Sequence, residues 1–429
     1  MLSLKILNLA THDHGGAGLA STYINNLLNA VGFESELMVW EKKSDLDNVL
    51  KCKLYSKNPI SSKIYRKWVR SEDKKWRKIV SEYGFIEKTV FDPQSSYASA
   101  KSILSQLRYT PDLILFHWVS FFITPSIISE LKRLTGAKMA WLMLDNSPIT
   151  GGCHYPFKCV GYQQNCANCP LFKVQNSLAQ ENLSSKIKLL PEDLEFWGTS
   201  SDVLRVKRST LGRLRNGRAM LFPINESLVS NVSKEEARLA WGIPEDKKVI
   251  LVGCTDLNDE RKGAEYLLAI LVLLKERYPE WYSKTSLLLV GDNKTEIFEN
   301  IGYEVYALGR LSLSDLMRAY NAADFFLSTS VEDSGPLMIN QSIAAGTPVV
   351  SFNIGVAEDL VFNGRTGYKA QLGDIEGLLH CIVDMLSLLE QKKDEIFYNC
   401  KHVFKQKSSE LSIMSCIQAI MSKNNNVNK

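Results

Sequence analysis

The chain has 429 residues, of which 45% are apolar and 23% charged, and its formal net charge is +4. This composition is typical of a globular protein and excludes a wholly disordered chain, and the length predicts two or three domains. No window reaches the roughly 18 apolar residues of a transmembrane helix, and the N-terminus lacks the charged leader and cleavage site of a signal peptide. We therefore expect a cytoplasmic protein.

Apolar runs in the first half predict strands that alternate with helices. The first strand is Leu4–Ala10, and a glycine turn then leads into a helix over Ala17–Ala30. A second helix is predicted over Ile127–Thr135. The further predicted strands are Ser35–Val39, Asp112–Phe116, Lys138–Leu144, Phe196–Thr199 and Ala219–Pro223. The alternation indicates a doubly wound parallel sheet.

A basic segment occupies residues 51–80, which contain eleven Lys or Arg and only two acidic residues. Its charge is +9, and the rest of the chain carries −5. Four aromatic residues are interleaved with the cations: Tyr55, Tyr65, Trp68 and Trp76. This composition suits an anionic membrane surface. Nucleic acid is a second interpretation, and a solvated helix with aromatics packed inward is a third.

The same rhythm of strands and helices restarts after residue 232. The predicted strands there are Val249–Val252, Leu287–Val290, Phe325–Leu327 and Pro348–Ser351, and a last helix is predicted over Ser409–Met421. We therefore predict two Rossmann-like domains over 1–225 and 226–407, with a C-terminal helix and frayed tail over 408–429.

The most informative motif is VEDSGPLMINQSIAAGTPVVSF at 331–352, directly after a predicted strand. Ligands of open α/β sheets bind at the carboxyl ends of strands, and a glycine turn before a helix exposes backbone N–H groups that bind phosphate or sugar oxygens. Glu332 can accept hydrogen bonds from hydroxyls. The alternative is an ordinary strand–turn–helix with Glu332 as a solvated acid.

This motif resembles the glycosyltransferase family 4 pattern, and its run E-D-S-G-P-x-M-x-N-Q-S-I is most similar to the colanic-acid and O-antigen branch. The resemblance implies that Glu332 contacts the donor sugar. It also implies that Gly335, Pro336 and Leu337 supply backbone contacts to the donor. Asn340 stands where the general pattern has a second Glu that binds the ribose, so an uncharged amide takes that place.

Upstream, VILVGCTDLNDERKGAEYLL at 249–268 resembles the strand, loop and helix in which a Lys-Gly pair meets the donor diphosphate. Lys262 matches that lysine. The family's Arg shortly after the strand falls on Cys254, and Arg261 is the candidate to supply its charge. A solvated helix cap is the alternative for both cations, and it leaves Gly263 unexplained.

The glycine loop after the first predicted strand contains Gly15, Gly16 and Ala17. It matches the family's Gly-Gly-Ala turn, which approaches the donor diphosphate and the acceptor. Its spacing is not that of the dinucleotide-binding G-x-G-x-x-G pattern. A plain tight turn is the alternative.

One stretch of seventeen residues, which begins within a T-G-G-C-H-Y block, contains four of the nine cysteines: Cys153, Cys159, Cys166 and Cys169. In a cytosolic chain this clustering favours thiolate ligands of a structural Zn²⁺ over disulfides. Buried or redox-sensitive thiols are the equal alternative, and His154 is a substitute ligand.

Asp145 ends a predicted strand where relatives place a His-Asp pair, and Leu144 replaces the histidine. Asp145 is a candidate to orient the acceptor hydroxyl, or it caps the turn that follows. His117 lies at another strand end, where the family often has a histidine. It either reaches the cleft or, as we expect, is a core histidine.

The resemblance covers most of the chain and implies the GT-B architecture: two facing Rossmann-like doubly wound α/β domains, with the C-terminal helix returning to the first. It implies transfer of a hexosyl unit from a nucleoside-diphosphate sugar to a lipid-linked saccharide in bacterial surface polysaccharide assembly. The resemblance further implies that the anomeric configuration is retained and that no catalytic metal takes part. The partners are then the nucleotide sugar, the lipid-linked acceptor and an anionic membrane surface on the inner face of the cell membrane, and not nucleic acid.

Two rivals remain. One is a catalytically silent GT-B partner subunit, because Leu144, Cys254 and Asn340 replace polar or charged groups of the general pattern. The other is a sugar-nucleotide epimerase of the same fold, which needs further acids in the cleft.

Overall fold

A computed structural model describes residues 3–53, 67, 71, 74, 78, 81, 82, 91, 92, 94, 96, 98–222, 224, 232–254, 258–291, 295–333, 337–407 and 409–423. Most of the basic segment 51–80, with its predicted membrane-facing aromatics, lies outside the described residues. Within the described part of the chain, no helix combines the length and apolar character needed to cross a membrane.

The chain forms two compact units. The first comprises Met1–Pro223 together with Ser412–Lys429, and the second comprises Ile224–Leu411. The last helix of the chain thus belongs to the unit that the N-terminus begins.

The first unit is built on a seven-stranded parallel sheet of order β3-β2-β1-β4-β5-β6-β7. Its strands are β1 Lys5–His12, β2 Glu34–Glu41, β3 Val49–Lys51, β4 Leu113–Phe116, β5 Lys138–Leu142, β6 Glu195–Gly198 and β7 Asn216–Ala219. Its helices are α1 Gly15–Ala30, α2 Ala100–Leu104, α3 Pro125–Thr135, α4 Leu178–Leu189 and α5 Ser200–Arg208, and α14 Ser409–Ser422 begins at the end of the second unit and joins this one.

Burial explains where these strands form. All four residues of β4 are buried, as expected for a central parallel strand covered on both faces. The prediction of a strand over Ala219–Pro223 is wrong, because the strand runs over Asn216–Ala219 instead. This edge strand is polar and half exposed, so no apolar run marks it.

The second unit has a six-stranded parallel sheet of order β10-β9-β8-β11-β12-β13. Its strands are β8 Lys248–Cys254, β9 Thr285–Gly291, β10 Glu304–Ala307, β11 Phe325–Ser328, β12 Val349–Phe352 and β13 Gly367–Ala370. Its helices are α6 Lys234–Leu239, α7 Ala264–Arg277, α8 Pro279–Tyr282, α9 Glu296–Asn300, α10 Leu313–Ala322, α11 Leu337–Ala345, α12 Ala357–Leu360 and α13 Ile375–Gln406.

The strand order places two loops side by side in the second unit. Strands β8 and β11 are hydrogen-bonded neighbours although they are not consecutive, so the order reverses between them. Such a switch point leaves a crevice at the carboxyl ends of the strands, where ligands of open α/β sheets bind. The loop with Lys262 follows β8, and the acidic motif follows β11.

Candidate functional site

Two hydrogen bonds join these loops of the second unit. The amide of Val331 donates to the carbonyl of Arg261 at 2.7 Å. The hydroxyl of Thr329 donates to the carbonyl of Lys262 at 3.0 Å. The structure thereby brings together the lysine and the acidic motif, which lie some seventy residues apart in the sequence.

Gly263 makes this approach feasible. Its φ of +62° lies in the left-handed region, and a Cβ there would meet the carbonyl oxygen of Thr329 at 2.1 Å. Any other residue would therefore push the two loops apart. The glycine also starts α7, with the short 3₁₀ turn Glu260–Lys262 before it.

Lys262 is bound by an acid of the motif. Its Nζ lies 2.7 Å from Oδ2 of Asp333, and both side chains are partly exposed. The neighbouring Glu332 is buried, with 3% of its surface exposed. A cation and two carboxylates thus share the carboxyl edge of this sheet, a set of groups able to bind phosphate and sugar hydroxyls.

Arg261 pairs with an acid of its own turn. Its guanidinium pairs with Asp259 in the same turn, where Nε lies 3.0 Å from Oδ1. The carboxylate of Asp259 therefore neutralises the charge of Arg261 within the same loop.

Two further donor-side residues, Leu337 and Asn340, belong to α11. Leu337 is its first residue, and Asn340 lies one turn later with its side chain buried. Gly335 and Pro336 lie outside the described residues. Cys254, at the position of the expected arginine, ends β8.

In the first unit, the predicted glycine turn is not a separate turn. Gly15, Gly16 and Ala17 form the first turn of α1, which follows directly on β1. The adjoining Asp13 fixes this junction, because its carboxylate accepts the amides of Lys43 and Ser44 at 2.9 and 2.8 Å. Burial acts to raise the pKa of Asp13, but the hydrogen bonds from these amides outweigh it and lower the pKa to about 2.

Asp145 is fully engaged inside the first unit. One carboxylate oxygen accepts the amide of Ser147 at 2.8 Å, and the other lies 2.5 Å from Nδ1 of His154. The remaining ring nitrogen of His154 lies 3.3 Å from the hydroxyl of Ser120. Burial raises the pKa of Asp145, yet His154 and Ser147 outweigh it and hold the pKa below its ordinary value. His154 is thus a partner of Asp145 and not a substitute ligand among the cysteines.

The four clustered cysteines line one small cavity in the first unit, and none of them forms a disulfide. Among the residues that the structure describes, a different group brings three potential metal ligands within 4.8 Å of one another: His12, which ends β1, His14, and Glu41, which ends β2. His117 is a core histidine as expected, with Nε2 3.0 Å from Oδ1 of Asn8, and burial lowers its pKa to about 3.

Two of these contacts were missed by sequence reasoning. Asp333 as the partner of Lys262, and His154 as the partner of Asp145, are separated from those residues along the chain, so spacing could not pair them. A signal existed for each: Asp333 follows Glu332 in the acidic motif, and His154 is the histidine of the T-G-G-C-H-Y block.

Most of the second unit is similar in sequence to known proteins. Residues 246–388, about a third of the chain, match a family described as Glycosyl transferases group 1. The D-inositol 3-phosphate glycosyltransferase of Corynebacterium urealyticum is 30% identical over 169 residues, which are 37% of this chain and 39% of that protein. The matched segment is therefore well under half the length of the curated relatives.

Solved structures extend the likeness to both units. Anabaena HepE in complex with UDP and glucose has a TM-score of 0.61 and 14% identity, covering 98% of this chain and 99% of that one. WaaG, a glycosyltransferase involved in lipopolysaccharide biosynthesis, has a TM-score of 0.56 and 14% identity, covering 97% and 99%. The chain thus has the GT-B fold of two parallel-sheet α/β units, and its second unit carries the sequence pattern of the group 1 glycosyltransferases.

Proposed function

We propose that the protein is a retaining glycosyltransferase that moves a hexosyl unit from a nucleoside-diphosphate sugar to a lipid-linked saccharide in bacterial surface polysaccharide assembly. The observation that carries the proposal is the junction at the β8–β11 switch point, where Lys262, Glu332 and Asp333 meet. This junction lies wholly within the segment that matches the glycosyltransferase family.

The proposed chemistry follows from the charges at this junction. Departure of the diphosphate develops negative charge, which the ammonium of Lys262 and the first backbone N–H groups of α11 stabilise, with no catalytic metal. Glu332, which directly precedes Asp333 in the chain, accepts hydrogen bonds from hydroxyls of the donor sugar. Retention requires the acceptor hydroxyl to attack from the face that the diphosphate leaves.

We propose uridine as the base of the donor, since HepE, with the same fold, is known in complex with UDP and glucose. We propose a lipid-linked acceptor because the motifs resemble the colanic-acid and O-antigen branch, and because WaaG acts in lipopolysaccharide biosynthesis. The basic, aromatic segment 51–80 would then hold the protein at an anionic membrane surface.

A silent GT-B partner subunit is the second candidate. Leu144 and Asn340 replace a histidine and an acid of the general pattern, and both oxygens of Asp145 are engaged within the chain. Such a protein would bind a nucleotide sugar or a glycan without transfer.

Ligand binding and transfer separate the two candidates. Thermal unfolding of the full chain is measured with UDP, GDP and ADP, and a ligand at 100 times its Kd adds about 2.7 kcal/mol of stability. Labelled UDP-sugars are then incubated with bacterial lipid extract, and label that moves into organic solvent is counted. We expect a shift with UDP together with transfer.

The matched variants are Glu332→Gln and Glu280→Gln, the second on the exposed surface of α8. We expect Glu332→Gln to lower transfer about 100-fold or more while it keeps the UDP shift, and Glu280→Gln to behave as wild type. A UDP shift without transfer by the wild-type protein would favour the silent subunit. Full transfer by Glu332→Gln would overturn the role of Glu332.

A further inference from the structure

The stretch 145–177 of the first unit joins β5 to α4 with almost no regular structure. It contains the two short 3₁₀ turns Ser147–Ile149 and Gly161–Gln163 and no α-helix or β-strand. Connections of this length inside a compact domain are uncommon unless they are functional or are fixed by something other than backbone pairing. We call this stretch the cysteine loop, because it holds Cys153, Cys159, Cys166 and Cys169.

All four cysteines of the cysteine loop line one cavity. Its volume is about 40 Å³, and its walls include Phe91 and Tyr162. A cavity of this volume has room for a single ion the size of a water molecule. Thiolates are soft ligands that select zinc, copper(I) or iron–sulfur clusters over magnesium or calcium.

Backbone N–H groups point at two of the sulfurs. The amide of Gly161 donates to Sγ of Cys159 at 3.4 Å, and the amide of Leu171 donates to the thiol of Cys169. In each case the donor lies two residues after its cysteine. Hydrogen bonds of this kind stabilise the negative charge of a metal-bound sulfur and orient it.

A buried cation lies beside the same cavity. Lys186 of α4 is fully buried, and its Nζ donates to the carbonyls of Ser147 and Thr150 at 2.5 and 3.1 Å. Burial lowers the pKa of Lys186, and the nearby groups of Asp92, Cys153 and Cys166 oppose that shift. The lysine thus ties the start of the cysteine loop to α4 through two backbone carbonyls.

The backbone of the cysteine loop is strained. Phe157, Cys166 and Asn168 have φ values of 48°, 55° and 54°, and all three lack the freedom of glycine. Left-handed conformations of such residues persist where other interactions hold them in place. A bound ion is an interaction of the required strength.

We propose that Cys153, Cys159, Cys166 and Cys169 bind one Zn²⁺ that fixes the cysteine loop. The sulfurs stand wider apart than in a closed site, because no three of them form a group within 4.8 Å. Tetrahedral zinc with bonds of about 2.3 Å requires sulfurs about 3.8 Å apart, so binding draws the thiols inward into the cavity. The ion has a structural role and takes no part in transfer.

The test is the metal content of the full chain, purified without chelator. We expect about one zinc per chain in the wild-type protein and in Cys52→Ser, which alters a buried cysteine outside the loop. Cys166→Ser/Cys169→Ser should contain less than about a tenth of that amount. His12→Ala/His14→Ala should keep its zinc, and so distinguishes the cysteine loop from the histidine group.

Retention of zinc by the cysteine variant, its loss from the histidine variant, or a trace amount in the wild-type protein would overturn the proposal. Stoichiometric iron in place of zinc would do so too. If the cysteine variant fails to fold, wild-type protein produced with Co²⁺ decides. Thiolate-to-cobalt charge transfer and intense visible bands of tetrahedral Co²⁺ support the site, and their absence from cobalt-containing protein refutes it.

Discussion

At the scale of single residues, the ammonium of Lys262 is already held by a carboxylate of its own chain. The 2.7 Å contact with Asp333 neutralises the cation that we assign to the diphosphate. A diphosphate must compete with this carboxylate, and it also meets repulsion from it. We therefore expect Asp333 to keep Lys262 in position and to weaken the binding of the proposed donor.

Replacing Asp333 by Asn should tighten the binding of UDP. Loss of one negative charge near the phosphates is worth about 1 kcal/mol, which lowers Kd about fivefold. Isothermal titration calorimetry measures the change. The gain in affinity should vanish in Asp333→Asn/Lys262→Met, because it depends on the freed lysine. The control is Asp315→Asn, which alters a partly exposed side chain of α10 and should leave Kd unchanged. Weaker binding by Asp333→Asn would mean that Asp333 itself holds the donor.

Single residues also mark the limit of prediction from sequence. Asp145 is a candidate because it ends a predicted strand where relatives have a His-Asp pair. Position 144 lacks that histidine, and in the structure Asp145 pairs instead with His154. Which residues follow each strand can be read from the sequence. Which of them meet depends on how the intervening loop returns, and the irregular cysteine loop has no periodicity from which to infer it.

At the scale of elements, the junction of two loops depends on one glycine. The loop after β8 approaches the loop after β11 so closely that Gly263 has no room for a side chain. Gly242, after α6, has a similar φ of +65° but nothing within 4 Å of an added Cβ. A side chain at either position would be strained by the left-handed backbone, but only at Gly263 would it also clash with another loop.

Gly263→Ala should therefore abolish the UDP shift and destabilise the second unit by well over 1 kcal/mol. Gly242→Ala should cost about 1 kcal/mol, the penalty for alanine in a left-handed conformation, and should keep the shift. Urea unfolding and thermal unfolding with UDP measure the two quantities. Equal effects of the two variants would show that the junction tolerates a side chain.

At the scale of the whole molecule, strand alternation predicted the fold class because buried parallel strands are continuous apolar runs. The central strands β1, β4, β8 and β9 were found in this way. The edge strands β3, β10 and β13 were not predicted, since they are short and partly polar. Their place in the sheet comes from tertiary pairing, which local composition does not encode.

Helix α14 completes the first unit with residues from the far end of the chain. Its Cys416 thiol contacts the carbonyl of Ala219, and Nζ of Lys423 lies 2.5 Å from the buried Glu195 of β6. Ile417 on the same helix is 2% exposed, whereas its neighbour Gln418 is exposed.

Ile417→Ala should destabilise the first unit by about 2–5 kcal/mol, the usual cost of a buried isoleucine truncation. Hydrogen exchange followed by mass spectrometry should show faster exchange in peptides of β6 and β7 and unchanged exchange in β11 and β12. Gln418→Ala should match the wild type. Faster exchange confined to the second unit would show that α14 stabilises the second unit and not the first.

The return of α14 also sets an order of events during synthesis. The ribosome releases every residue of the second unit before it releases Ser412–Lys429, so the second unit can fold while the first unit still lacks a helix. The buried carboxylate of Glu195 meanwhile has no lysine from α14 beside it. A nascent chain that stalls late would thus expose an incomplete N-terminal unit to proteases, although that unit was translated first.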